Sequence, residues 1–218
     1  MNALRLLASA SSVAALLTAT TACSAASIGT AIDAGGHAAP ASAQPSEPAG
    51  QGQIKEVHSP SQVALDEQLA PGHCQARAVD ATAGKYLPDP ACTPGAVDPA
   101  VTQATIDSTI CKAGYTAAVR PSSAATAKVK AESLREYGES ASPTTEYDHL
   151  VSLELGGSNS VSNLWPEPNR PGAAGTTNPK DAVENTLHRA VCAHTVRLAA
   201  AQTAIAHDWT TALHVLGL

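Results

Sequence analysis

Asp148 and His149 stand side by side in a short β-prone run, and a carboxylate next to an imidazole is a pairing from which hydrolysis can be built. An imidazole with a pKa near neutrality can take a proton from water. A carboxylate can hold a divalent cation against phosphate and leaving oxygens. Asn163 follows the Gly156-Gly157 pair, and Asp181, Glu184, Asn185 and His188 lie together in a helix-forming stretch. Glu184 and His188 are four apart and share a helix face. A base for water together with ligands for a cation is what cleaving a phosphodiester requires.

The elements around these residues follow from periodicity. Tyr147, His149, Val151 and Leu153 alternate with Asp148, Leu150, Ser152 and Glu154, which predicts a strand over 147–155. Gly156-Gly157 turns it, and a second short strand starts at Asn163. Residues 169–179 read as loop, and Val183, Leu187 and Val191 predict a helix over 181–191. Neighbouring strand residues face opposite ways, so Asp148 and His149 would need a bulge or bend to reach one groove. Upstream lie a lead-in at 62–69, a strand at 74–79, a proline-fixed loop at 87–95, and a short helix capped by Asp98 or Thr102. A strand at 115–120 stopped by Pro121 and an amphipathic helix at 124–137 follow them. A last helix is expected over 198–213, with Ala201, Ile205, Trp209 and Leu213 at helical spacing.

Tyr147-Asp148-His149-Leu150-Val151-Ser152-Leu153-Glu154-Leu155-Gly156-Gly157-Ser158-Asn159, followed by Asn163-Leu164-Trp165-Pro166, is similar to the core of HNH nucleases, the ββα-metal superfamily. Over roughly 130 residues the chain also resembles exported bacterial HNH-like proteins, which share Thr-Ile-Cys, Val-Arg-Pro, Asp-His-Leu, Asn-Leu-Trp-Pro and Lys-Asp-x-x-Glu-Asn-x-Leu-His blocks. The resemblance implies an α+β fold, a ββα-metal core with extra helices stapled by disulfides, and an endonuclease acting on DNA or RNA. It makes His149 the general base, Asp148 a metal ligand, and Asn163 the residue that orients loop or base. The third metal position falls on the helix, at His188 first, then Glu184, then Asn185, with Asp181 also in range. The implied cofactor is Mg²⁺, with Mn²⁺, Ni²⁺ or Zn²⁺ as alternatives. The link from Asn163 to the helix is longer than in compact HNH units.

The start of the chain reads as a secretory signal over residues 1–23, with one early charge, an apolar run over 6–22, and small residues before Cys23. Cys23 also fits a lipid-bearing lipoprotein signal, although Thr20 stands where such signals carry Leu. Residues 24–62 are rich in Ala, Ser, Gly and Pro and read as a tether, leaving 63–218 as one domain. No segment of the mature chain is long and apolar enough for a membrane span. The expected location is extracellular, or attached to the outer face of the cell membrane. The sequence does not specify an oligomeric state.

Cys74, Cys92, Cys111 and Cys192 read as two disulfides with three possible pairings. Cys74–Cys92 and Cys111–Cys192 are favoured, because the first closes a short loop and the second ties mid-domain to the C-terminal helices. No two of these cysteines have zinc-knuckle spacing.

The formal net charge of −6 argues against avid nonspecific binding to nucleic acid. It favours a competing reading in which the HNH frame is catalytically silent and binds a partner in the envelope or outside the cell. His194, His207 and His214 read as surface residues and Trp165 and Trp209 as core. Arg120 reads as either a phosphate contact or plain surface.

Overall fold

Short strands and helices alternate along the chain, and no sheet exceeds two strands. A computed structural model describes residues 53–218, so the signal segment 1–23, Cys23 and most of the expected tether lie outside the described residues. In chain order the elements are β1 (Lys55–Glu56), β2 (Arg77–Asp80), β3 (Lys85–Leu87), β4 (Ala96–Val97), α1 (Tyr115–Val119), α2 (Ser123–Glu136), β5 (Glu146–His149), β6 (Leu164–Glu167), α3 (Pro179–Cys192), α4 (Leu198–Asp208) and α5 (Ala212–Val215). β1 pairs parallel with β4, while β2 with β3 and β5 with β6 are antiparallel. The fold is thus mixed α and β. Among the described residues, no helix is long and apolar enough to cross a membrane.

The main core joins Val151, Leu155, Leu187, Val191, Leu198, Ala201, Ile205 and Trp209, so the β5–β6 loop, α3 and α4 bury one another. A second cluster gathers Tyr137, Leu150 and Trp165 over the Cys74–Cys92 bridge. Both favoured disulfides form, with Cα–Cα separations of 6.1 Å for Cys74–Cys92 and 5.5 Å for Cys111–Cys192. Both distances are ordinary for unforced bridges.

Several expectations are corrected. The tether does not run to residue 62: Lys55 and Val57 donate to Gly95 and Val97, and the Ser59 carbonyl accepts from Asn159. Backbone hydrogen bonding rather than apolar burial fixes this segment. The strand expected at 115–120 is helix α1. Gly114, at φ 83°, turns the chain into it, and Arg120 before Pro121 is extended and ends it. The strand expected at 74–79 starts only at Arg77. The strand expected over 147–155 stops at His149, because Leu153–Leu155 turns as 3₁₀ helix into Gly156 at φ 75°. A side chain at Gly156 would meet Val101 at 2.7 Å, and one at Gly157 would meet the Val151 carbonyl at 1.7 Å. The last helix breaks because the Asp208 carboxylate accepts from the Thr210 amide and hydroxyl, a local turn that competes with helix.

Candidate active site

The unbroken β5–β6 register pairs Glu146 with Glu167, Tyr147 with Pro166, Asp148 with Trp165 and His149 with Leu164. Glu146, Asp148 and Glu167 therefore share one face of the hairpin, and His149 belongs to the other. The expected bulge is not there: carboxylate and imidazole find their partners on different sides.

Asn163 is fully buried, and its side chain clasps the loop that joins the strands. Its Oδ1 accepts from the amides of Val151 at 2.9 Å and Ala96 at 3.2 Å. Its Nδ2 donates to the carbonyls of Val151 at 3.0 Å and Ser158 at 2.8 Å. Asn163 thus orients the loop. His149 is oriented by a different residue, Asn159.

Asn159 fixes the His149 tautomer. Its Nδ2 donates to the carbonyls of Ser59 at 2.7 Å and Val119 at 2.8 Å, so its Oδ1 must face the imidazole Nε2, 2.8 Å away. An amide oxygen only accepts, so Nε2 carries the hydrogen and Nδ1 holds the lone pair. Nδ1 has no hydrogen-bond partner among the described residues. Burial pushes the His149 pKa down to about 4, against the opposing pull of Asp148, so the ring is neutral across the physiological range.

On the other face Lys180 sits at the centre of the acids. Asn178 caps α3 in a capping box with Asp181, and Pro179 opens the helix. Lys180 follows in the first turn, where the helix dipole disfavours a cation. Its side chain is nearly sealed, and Nζ donates to Asp148 Oδ2 at 2.6 Å, to the His149 carbonyl at 2.7 Å and to Glu184. Glu167 is 1 % exposed and lies against Asp148, to which its carboxyl can donate when protonated.

Burial raises Glu146 to about 7 and Glu184 to about 8, with Asp148 adding to each. Burial and then Asp148 hold Glu167 well above the usual carboxylate range. Burial also acts to raise Asp148, but the Lys180 charge outweighs it and lowers the carboxyl. Burial opposes charge on Lys180, and Asp148 and Glu184 overcome it to hold the ammonium. Arg120 is exposed at the end of α1, and its charge acts on both His149 and Glu146.

The structure therefore gathers Asp148 and Glu184 and leaves out the other helix candidates. His188 donates from Nε2 to the Ile110 carbonyl at 2.9 Å, beside the Cys111–Cys192 bridge. Asn185 turns back to the Asp181 carbonyl of its own helix. Among the described residues, the three-ligand groups within reach of one ion are Cys111, His188, Cys192 and Cys74, Cys92, Glu136. Each contains a closed disulfide, which offers no thiolate. Asp148, Glu184 and Glu167 offer oxygen donors of the kind a hard divalent cation takes, but among the described residues they do not form a three-ligand group within reach of one ion, and the Lys180 ammonium lies between Asp148 and Glu184. Trp165 and Trp209 are buried core, and His194 lies at the surface 3.3 Å from Asp107.

Lys180, Glu167 and Asn159 are absent from the sequence-based set. A lysine in the first turn of a helix and a glutamate one strand period after Trp165 were the available signals. No family model, curated protein or solved structure matches the chain.

Proposed function

We propose that this chain is an exported, metal-dependent phosphodiesterase of the HNH type that cleaves DNA or RNA. The observation that carries the reading is the Asn159–His149 contact, which leaves a neutral imidazole whose Nδ1 has no partner among the described residues, on the hairpin face opposite the carboxylates. His149 Nδ1 takes the proton of the attacking water, and the resulting imidazolium is stabilised by the adjacent Asp148 charge. The exposed Arg120 guanidinium holds a substrate phosphate near the base. Asp148 and Glu184 would hold a divalent cation, which would supply polarisation of the phosphate and neutralisation of the leaving oxygen. Two disulfides agree with an oxidising compartment.

The competing reading, a silent binding protein on the same frame, is favoured by Lys180, whose ammonium already neutralises Asp148 and Glu184. One experiment separates them. The oxidised chain is incubated with linear and single-stranded DNA and RNA in Mg²⁺, Mn²⁺, Ni²⁺ or Zn²⁺, alongside folded His149→Ala. Cleavage should fall by about 10²- to 10⁴-fold in the variant, the usual contribution of a general base. The acid limb of the wild-type rate should lie near pH 4, where His149 titrates, not near the free-imidazole value. Absence of cleavage in every metal selects the binding protein, and undiminished cleavage in His149→Ala refutes the mechanism.

A further inference from the structure

We infer that residues 57–66 form a positioning strap for His149, and that Asn159 is the positioning residue through which the strap acts. The value of this for catalysis rests on the proposed phosphodiesterase reading, whereas the strap's hold on the ring does not. The strap lies along the loop 158–162. Ser59 Oγ is 2.8 Å from Ser158 Oγ, and Asp66 accepts from the Ser162 hydroxyl at 2.6 Å. The Ala64 amide donates to the Asn159 carbonyl at 2.8 Å, and the Ala64 carbonyl accepts from the Val161 amide at 3.0 Å. Asn159 is therefore bound to the strap twice, through its backbone to Ala64 and through its side chain to the Ser59 carbonyl.

The Val119 carbonyl at the end of α1 closes the arrangement, because it accepts from both the Ser61 amide and Asn159 Nδ2, each at 2.8 Å. Strap, helix end and loop thus meet at one buried amide group. A flipped Asn159 would set its oxygen against two carbonyls, so Ser59 and Val119 dictate the amide's orientation. That orientation in turn dictates which ring nitrogen of His149 carries the hydrogen. Ser61 holds φ at 62°, one of two non-glycine residues with positive φ among the described residues. Such a backbone persists only where its surroundings over-determine it. Here the Ser61 amide is held by Val119 and its hydroxyl by the Ala118 carbonyl at 2.8 Å.

The test reads the ring directly, by nuclear magnetic resonance of the full oxidised chain with isotope-labelled histidine, near pH 7, where the ring is neutral. Wild type should show a His149 Nε2 hydrogen that exchanges slowly, with the two ring nitrogen shifts far apart. Ser61→Pro deletes the amide and hydroxyl bonds and cannot adopt positive φ. It should speed exchange of that hydrogen by about tenfold or more, the worth of the bonds removed, and draw the two shifts together. Ser61→Gly keeps the amide and tolerates positive φ, and should behave as wild type. If Ser61→Pro does not fold, Asn159→Asp decides. Its carboxylate still accepts from Nε2 but cannot donate to Ser59 or Val119, so the Ser61 and Ala64 amides should exchange faster while the ring bond remains. No protected Nε2 hydrogen in wild type, an unchanged one in Ser61→Pro, or unchanged strap amides in Asn159→Asp would each overturn the inference. Equal acceleration at the core amides of Leu187 and Ile205 would do so too, since it marks general loosening. Absence of cleavage in every metal would remove the phosphodiesterase reading and leave the strap standing.

Discussion

Replacing Lys180 by Met keeps an apolar stem of similar length and deletes the ammonium on which the carboxylate face is built. Asp148 loses a partner at 2.6 Å, Glu184 loses its neighbour, and the His149 carbonyl loses a donor at 2.7 Å. Breaking a buried ion pair by removing one member costs about 3–5 kcal/mol, and an orphaned carbonyl adds about 1–3 kcal/mol. Part of this is relieved when the stranded carboxylates take up protons, so about 4 kcal/mol should be lost near pH 8. That is a large share of the roughly 5–15 kcal/mol that holds a domain together. The pH dependence has a definite sign. Glu184 in the folded wild type titrates near 8, above its unfolded value. Its contribution is therefore fully present below about pH 4.5 and lost as pH rises through about 8. Without Lys180, Asp148 joins the groups that must be protonated to stay buried, so the variant loses stability with pH more steeply than wild type. Urea unfolding of both proteins with disulfides intact, at pH 5 and pH 8, measures the difference. A deficit under about 1 kcal/mol at pH 8, or a deficit that grows on acidification, would refute the account of Lys180 as the resident counter-charge.

Asn163→Ala removes a side chain that bonds four buried backbone groups, and at about 1 kcal/mol per bond it should cost roughly 4 kcal/mol in thermal or urea unfolding. Asn163→Asp should fare no better, because a carboxylate cannot donate to the Val151 and Ser158 carbonyls. Serine pairs at the two disulfides should rank by loop length. Cys111 and Cys192 are 81 residues apart and their loss should cost about 4–5 kcal/mol, against about 3 kcal/mol for Cys74 and Cys92, 18 apart. The reverse order in chemical denaturation would show that native-state packing outweighs chain entropy at these bridges.

What could be read from the sequence was what is local. The apolar stripe Val183, Leu187 and Val191 marks α3, and Val129, Leu134 and Tyr137 mark the buried side of α2. Tyr115–Val119 misled because its Tyr, Thr and Val are β-prone, whereas its two alanines favour helix, and Gly114 and Pro121 bound the resulting turn of helix. Asp148 and Glu184 meet at Lys180, a residue outside the expected set. His188 shares a face with Glu184 but lies one turn further along, a rise of about 5 Å, and that step takes it to Ile110 and the disulfide. Lys180, Glu167 and Asn159 were hidden for another reason. Each acts through a contact made by tertiary packing, Lys180 with Asp148 and Asn159 with Ser59 and Val119, which no local period encodes.

The acidity of the chain looks different once the carboxylates are placed. A formal charge of −6 treats every acid as ionised. Burial holds Glu167 well above the usual carboxylate range, Glu184 at about 8 and Glu146 at about 7, so the folded chain carries less negative charge than the formal count implies. The remaining negative charge near His149 is concentrated on the hairpin face that Lys180 covers, while the charge of the exposed Arg120 acts on His149.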